Sequence, residues 1–128
     1  MSDTDLVIEP APPELEQAGQ QLWRSVVETY ELNPGELRIL ADAAGEADMI
    51  AALNDEWGRL GRPMTALGST KQLVAHPIVQ ELRAHRTTLR QLLGALKLSP
   101  LDSEDAPLDR PMTRSEVGKL GAAHRWGR

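Results

Sequence analysis

The sequence predicts a mainly α-helical fold: amphipathic helices with one small β-hairpin, in a protomer that assembles as a homo-oligomeric ring. Three observations lead there. Phenylalanine and cysteine are absent and the aromatic residues are Trp23, Tyr30, Trp57 and Trp126. A core must therefore come from Leu, Val, Ile and Ala, a palette that suits packed helices better than a sheet. Three stretches repeat apolar residues at spacings of three and four, the period of a helix face. Charge is segregated along the chain, which gives one copy a surface complementary to the next and favours the head-to-tail contacts that close rings.

Four segments follow in order. Residues 1–13 read as an acidic, disordered N-terminal arm, and residues 14–98 as the helical core and oligomerisation domain. Within that core a first helix runs from Glu14 to about Tyr30, with Leu15, Leu22, Val26 and Tyr30 on one face and Trp23 and Val27 widening it. "NPGE" starts a second helix: Asn33 is the N-cap, Pro34 takes the first helical position, and Glu36 completes a capping box. Leu37, Leu40, Ala44, Ala47, Ile50, Leu53, Trp57 and Leu60 carry its apolar face onward, with Gly45 weakening it by about 1 kcal/mol relative to alanine. Glycines and prolines then break the pattern, and Met64–Ala66 and Gln72–Val74 read as two short strands around "LGST". Pro77 opens a third helix carrying Ile78, Leu82, Leu89, Leu92 and Leu96, which ends at "LKLSP". Residues 99–112 are acidic and proline-rich and read as a flexible linker. Residues 113–128 read as a basic tail helix with a second capping box, Thr113 with Glu116. Its apolar face is too small to fold alone, so it is expected to order only on a partner.

Composition bounds the function. At 128 residues the chain fits one domain. Without cysteine it has no disulfide, thiolate nucleophile or cysteine-based zinc site. No apolar run resembles a secretory signal or a membrane span, so a soluble intracellular protein without membrane contact is expected. The net charge of −5 hides the segregation. Residues 1–56 hold 13 acids and 2 bases, whereas residues 57–98 hold 7 bases and 1 acid. Residues 99–112 hold 4 acids and 1 base, and residues 113–128 hold 4 bases and 1 acid.

On the third helix, at 100° per residue, Arg83, Arg86, Arg90 and Lys97 fall within a wedge of roughly 60°, set about 100° from the leucine face. Such a stripe suits a phosphate backbone, where each neutralised phosphate adds affinity through counterion release. It equally suits a solvated helix face, or docking against the acidic first two helices of a neighbouring copy. "GSTK", ending at Lys71, lacks the spacing of a phosphate loop and reads as an ordinary turn. Glu81 and His85 lie four apart but have no third ligand, so no metal is expected, and His85 reads as a salt-bridged or half-buried histidine. Asp42, Glu46 and Asp48 read as the wet side of the second helix, with no nucleophile or oxyanion donor nearby. No catalytic residue and no cofactor are predicted. The first two helices offer only Arg24 and Arg38 among many acids, which disfavours a recognition helix in the major groove. In the tail, Lys119, Arg125 and Trp126 suit either DNA phosphate with stacking, a protein partner, or a frayed end.

Taken together, "LWRSVVETYEL", "NPGE" with its long helix, the glycine-broken hairpin, "HPIVQELRAHRTTLRQLLGALKLSP" and the terminal "AAHRWG" resemble the small subunit of tailed-bacteriophage terminases. The resemblance covers about residues 20–98, with an echo in the tail. Its most specific parts are "HP" at the start of the third helix and "LLGALKLSP" at its end. Family members often place an arginine soon after "LSP", whereas this chain continues "LDSED". The resemblance implies a non-catalytic, ring-forming subunit that binds double-stranded viral DNA. It would recruit or regulate a large ATPase and nuclease subunit, in the cytoplasm of the infected bacterial host. By position it puts DNA contact on Arg83, Arg86, Arg90 and Lys97, with Lys71 a further candidate, and DNA or large-subunit contact on Lys119, Arg125 and Trp126. The alternatives are a helical oligomeric adaptor that binds protein only, and a small transcription regulator.

Overall fold

Two helices joined by a capped turn begin the fold: α1 (Gln17–Val27) and α2 (Pro34–Arg59), separated by the two-residue strand β1 (Tyr30–Glu31). The hairpin β2 (Thr65–Leu67) and β3 (Leu73–Ala75) leads into α3 (Pro77–Leu96). After it come β4 (Met112–Thr113) and α4 (Arg114–Trp126). The computed structural model describes residues 8–98 and 110–126, with side chains through Leu120. The molecule is mainly helical, with two small antiparallel sheets among the described residues, β1–β4 and β2–β3.

The capping box predicted at "NPGE" is present in full. Glu36 N–H donates to the Asn33 side chain at 2.8 Å, and Asn33 N–H donates to the Glu36 carboxylate at 2.9 Å. α2 then runs 26 residues to a two-bond C-terminal cap: Arg62 N–H donates to the Trp57 carbonyl at 2.8 Å and Gly61 N–H to Gly58 at 3.0 Å. That motif requires a left-handed residue after the helix, and Gly61 supplies it at φ 88°. α3 starts at His76, whose Nδ1 accepts from Ile78 N–H at 3.1 Å, with Pro77 at the first helical position. It ends at Lys97, also left-handed at φ 56°.

α2 and α3 pack antiparallel, with Leu96 against Leu40 at one end and Leu82 near Trp57 at the other. α1 lies across the start of α2 and contributes Trp23, Val26 and Val27 to the same core, together with Leu15, Tyr30 and Ala44. Burying each Val or Leu there contributes about 1.5–3 kcal/mol. α1 approaches α2 closely at Gly19. A Cβ on that residue would stand 2.7 Å from the Ala44 carbonyl and 2.5 Å from the Asp48 carboxylate.

Several expectations shift. The first helix begins at Gln17, because the chain turns at Pro13 and Glu14, and Leu15 N–H donates to the Pro12 carbonyl at 3.2 Å. It stops at Val27, and Tyr30 joins β1 instead. Residues 8–13, expected to be a disordered arm, strap α1: Trp23 Nε1 donates to the Glu9 carbonyl at 2.9 Å and Ala11 packs on the core. Residues 1–7 lie outside the described residues. Both hairpin strands lie one residue later than predicted, since Gly68 N–H to Gln72 O (2.7 Å) and Lys71 N–H to Gly68 O (2.9 Å) close the loop directly between Leu67 and Leu73. In the expected linker, 99–109 lie outside the described residues, whereas Met112 pairs with Glu31 in β4.

The tail helix is held by this chain rather than awaiting a partner. Arg114 N–H donates to the Thr29 carbonyl at 2.8 Å, and its guanidinium reaches the Val27 carbonyl and pairs with Glu31. The Thr113–Glu116 capping box forms, with bonds of 2.8 and 3.1 Å. Arg110 clamps Glu116 from the other side, at 2.7 and 2.6 Å. The main cause that holds the Glu116 carboxyl down to about 2 from its ordinary 4.5 is this Arg110 fork, followed by the Thr113 amide.

Candidate nucleic-acid interface

The sides of α3 are sorted by chemistry. Leu82 and Leu96 are buried and Leu89, Leu92 and Leu93 half-buried along the seam with α2. His85 lies on one flank, its Nδ1 2.7 Å from the Glu46 carboxylate and its Nε2 3.5 Å from Glu81, the one acid of the helix. Arg83, Arg86 and Arg90 occupy the other flank and are exposed. Among the described residues these three make no ion pair and no side-chain hydrogen bond. Unpaired guanidiniums on a rigid, leucine-anchored helix are poised for an anion without first breaking an internal contact.

The stripe borders a concavity of about 230 Å³ floored by Trp57, Val79 and Leu82 and rimmed by the three arginines. Trp57 reaches this place because α2 ends beside the start of α3. Its Nε1 donates to the Pro63 carbonyl at 2.8 Å, and the Arg62 guanidinium stands 5.2 Å from the ring centroid. A further cation is thereby held on the ring of Trp57. The sequence assigned Trp57 to the apolar face of its helix and missed this role, since only the antiparallel return of α3 brings Trp57 and Arg83 together. The string "WGRLGR" carried the signal, a tryptophan and an arginine five residues apart across a glycine-capped helix end.

Lys97 stands at the end of α3 as its left-handed cap, so the 100° projection that aligned it with the arginines no longer applies to it. Its charge instead complements the C-terminal end of the helix dipole. Lys71 sits exposed in the β2–β3 turn, away from the stripe along the chain, and the "GSTK" segment is that ordinary turn. Lys119 is exposed on α4. Arg125 and Trp126 lie on the last turn of α4, and their side chains lie outside the described residues.

The carboxylates of α2 are not a uniform wet face. Asp48 caps α1, accepting from Glu16 N–H at 2.7 Å and Gly19 N–H at 2.6 Å, and Glu46 engages His85. Asp42 alone of the three has the expected solvated character, 3.7 Å from Arg38. Among the described residues no group of three or more His, Asp or Glu side chains is arranged to hold a metal ion. No helix among them is long and apolar enough to cross a membrane. Comparison of the chain with protein-family models, curated proteins and solved structures finds no match.

Proposed function

We propose that this chain is a non-catalytic small subunit of a tailed-phage terminase. In this reading it forms a homo-oligomeric ring in the cytoplasm of the infected bacterial host and binds double-stranded viral DNA. It then recruits or regulates a separate large subunit that performs ATP hydrolysis and DNA cleavage. The observation that carries the reading is the unpaired stripe of Arg83, Arg86 and Arg90 beside Trp57, on the helix whose two ends bear the most family-like strings. Phosphate is the ligand that a row of exposed guanidiniums on one helix flank fits best, because each contact releases a condensed counterion.

The remaining cations take secondary parts. Lys97 extends the DNA surface at the end of α3, and Lys71 adds a contact from the hairpin turn. Lys119, Arg125 and Trp126 on α4 are assigned to the large subunit or to DNA. The chain supplies no catalytic group in this scheme and needs no cofactor.

Titration of a fluorescently labelled duplex at several salt concentrations tests the reading. Three arginine–phosphate contacts per protomer predict a slope of at least about 2.7 in log affinity against log salt. A protein-only adaptor would leave the duplex unbound at low salt, and a transcription regulator would bind one short symmetric site far better than all others.

A further inference from the structure

We propose that the β2–β3 hairpin is a DNA-bending arm, with Leu67 and Leu73 wedged between base pairs from the minor groove and Lys71 on the flanking phosphate. This rests on the reading of the chain as a DNA-binding subunit and adds the mode of contact. Leu67 and Leu73 stand directly opposite each other next to the turn, 70% and 73% exposed, and Met64 at the base of the arm is 64% exposed. Each strand pairs only with the other among the described residues. An isolated two-stranded ribbon is marginal in water, and an apolar tip on one marks a surface that is covered in use.

Charge selects the occupant. From Trp57 to Gln80 the chain carries Arg59, Arg62 and Lys71 and no acid at all. Arg59 is neutralised by Glu56, which leaves Arg62 at the root of the arm and Lys71 at its tip. A polyanion meets such an arm with attraction, whereas the same arm of a second copy meets it with like charge, and contact with the acidic helices of a second copy is the outcome that native mass reads. Lys71 at φ 68° occupies the left-handed position after the turn, where glycine is the unstrained choice. Lys71 puts a cation in the turn that joins the strands bearing the two leucines, as a phosphate contact flanking a wedge requires. The arm is also fixed to the stripe's helix, since His76 N–H, at the cap of α3, donates to the Met64 carbonyl at 3.0 Å. A duplex kinked at the arm can therefore fold back toward Arg83, the gain that offsets unstacking in minor-groove architectural proteins.

The test is energy transfer between dyes at the two ends of a short duplex, read alongside native mass, for the wild type, Leu67→Ser/Leu73→Ser and Lys71→Gly. The wild type should bend the duplex by roughly 20–90°. The double serine variant, altered only at exposed side chains, should keep its circular dichroism and its oligomeric mass and still bind the duplex, more weakly, but lose the bend. Lys71→Gly should lower the salt slope by about 0.9 while its melting temperature holds or rises, a split that a merely structural lysine would not give. The proposal is overturned if the wild type binds a straight duplex or if the serine variant still bends it. It is equally overturned if that variant loses oligomeric mass, which would make the hairpin a contact between copies. Failure of the wild type to bind DNA removes the functional reading as well, whereas bending by the serine variant with binding intact removes only the arm.

Discussion

At Gly19 two principles oppose each other. Alanine is the better helix former by about 1 kcal/mol, so propensity alone predicts that Gly19→Ala stabilises α1. The added Cβ, however, would press on the Ala44 carbonyl at 2.7 Å, a backbone atom inside α2 that cannot swing away. Overpacking of this kind costs about 1–3 kcal/mol, so steric conflict wins and urea denaturation of Gly19→Ala should show a lower midpoint. Asp48 governs the same junction, accepting the amides of Glu16 and Gly19 where α1 has no cap of its own. Asp48→Ala should cost about 1–2 kcal/mol in the same measurement, and Asp42→Ala, on the solvated side, close to nothing. Neither role was legible in the sequence. Asp48 meets α1 across 32 residues of chain, whereas periodicity reports only which face of its own helix a residue occupies.

Among the elements, α2 and α3 were legible because their ends are written locally. Asn33, Pro34 and Glu36 sit within four residues, His76 and Pro77 are adjacent, and a left-handed residue closes each helix. The hairpin was legible as a hairpin but not in register, since Lys71 takes the left-handed position where a glycine would have signalled the loop. α4 was legible as a helix through Thr113 and Glu116, but its attachment was not. That attachment depends on Arg114 reaching residues more than eighty positions earlier, and on Arg110 clamping Glu116 six positions later. The stripe was legible from spacing, while its Trp57 floor needed the pairing of two helices. α4 also carries the clearest pH dependence. The Glu116 carboxyl is held well below its ordinary value in the folded chain, so its contribution to docking is complete above about 4.5 and fades as pH falls toward about 2. The amide resonances of Thr113 and Arg114 should therefore shift over that acidic range in the wild type and stay level in Glu116→Gln.

For the whole molecule, the chain keeps an acidic first half and a basic α3 apart in sequence, and the proposed assembly leaves the arginine flank of α3 to DNA. Native mass spectrometry near physiological ionic strength should show one closed oligomer of many identical subunits, and a clean monomer would remove the preformed ring. In the proposed function the flank of α3 meets phosphate rather than a neighbouring subunit. That contact is tested most directly by measuring duplex affinity against salt for the wild type and for the triple variant Arg83→Gln/Arg86→Gln/Arg90→Gln. The triple variant should bind more weakly, with a slope reduced by about 0.9 per lost contact and the oligomer intact. Unchanged DNA affinity accompanied by a dissociated oligomer would contradict it, and would make those arginines the interface between copies.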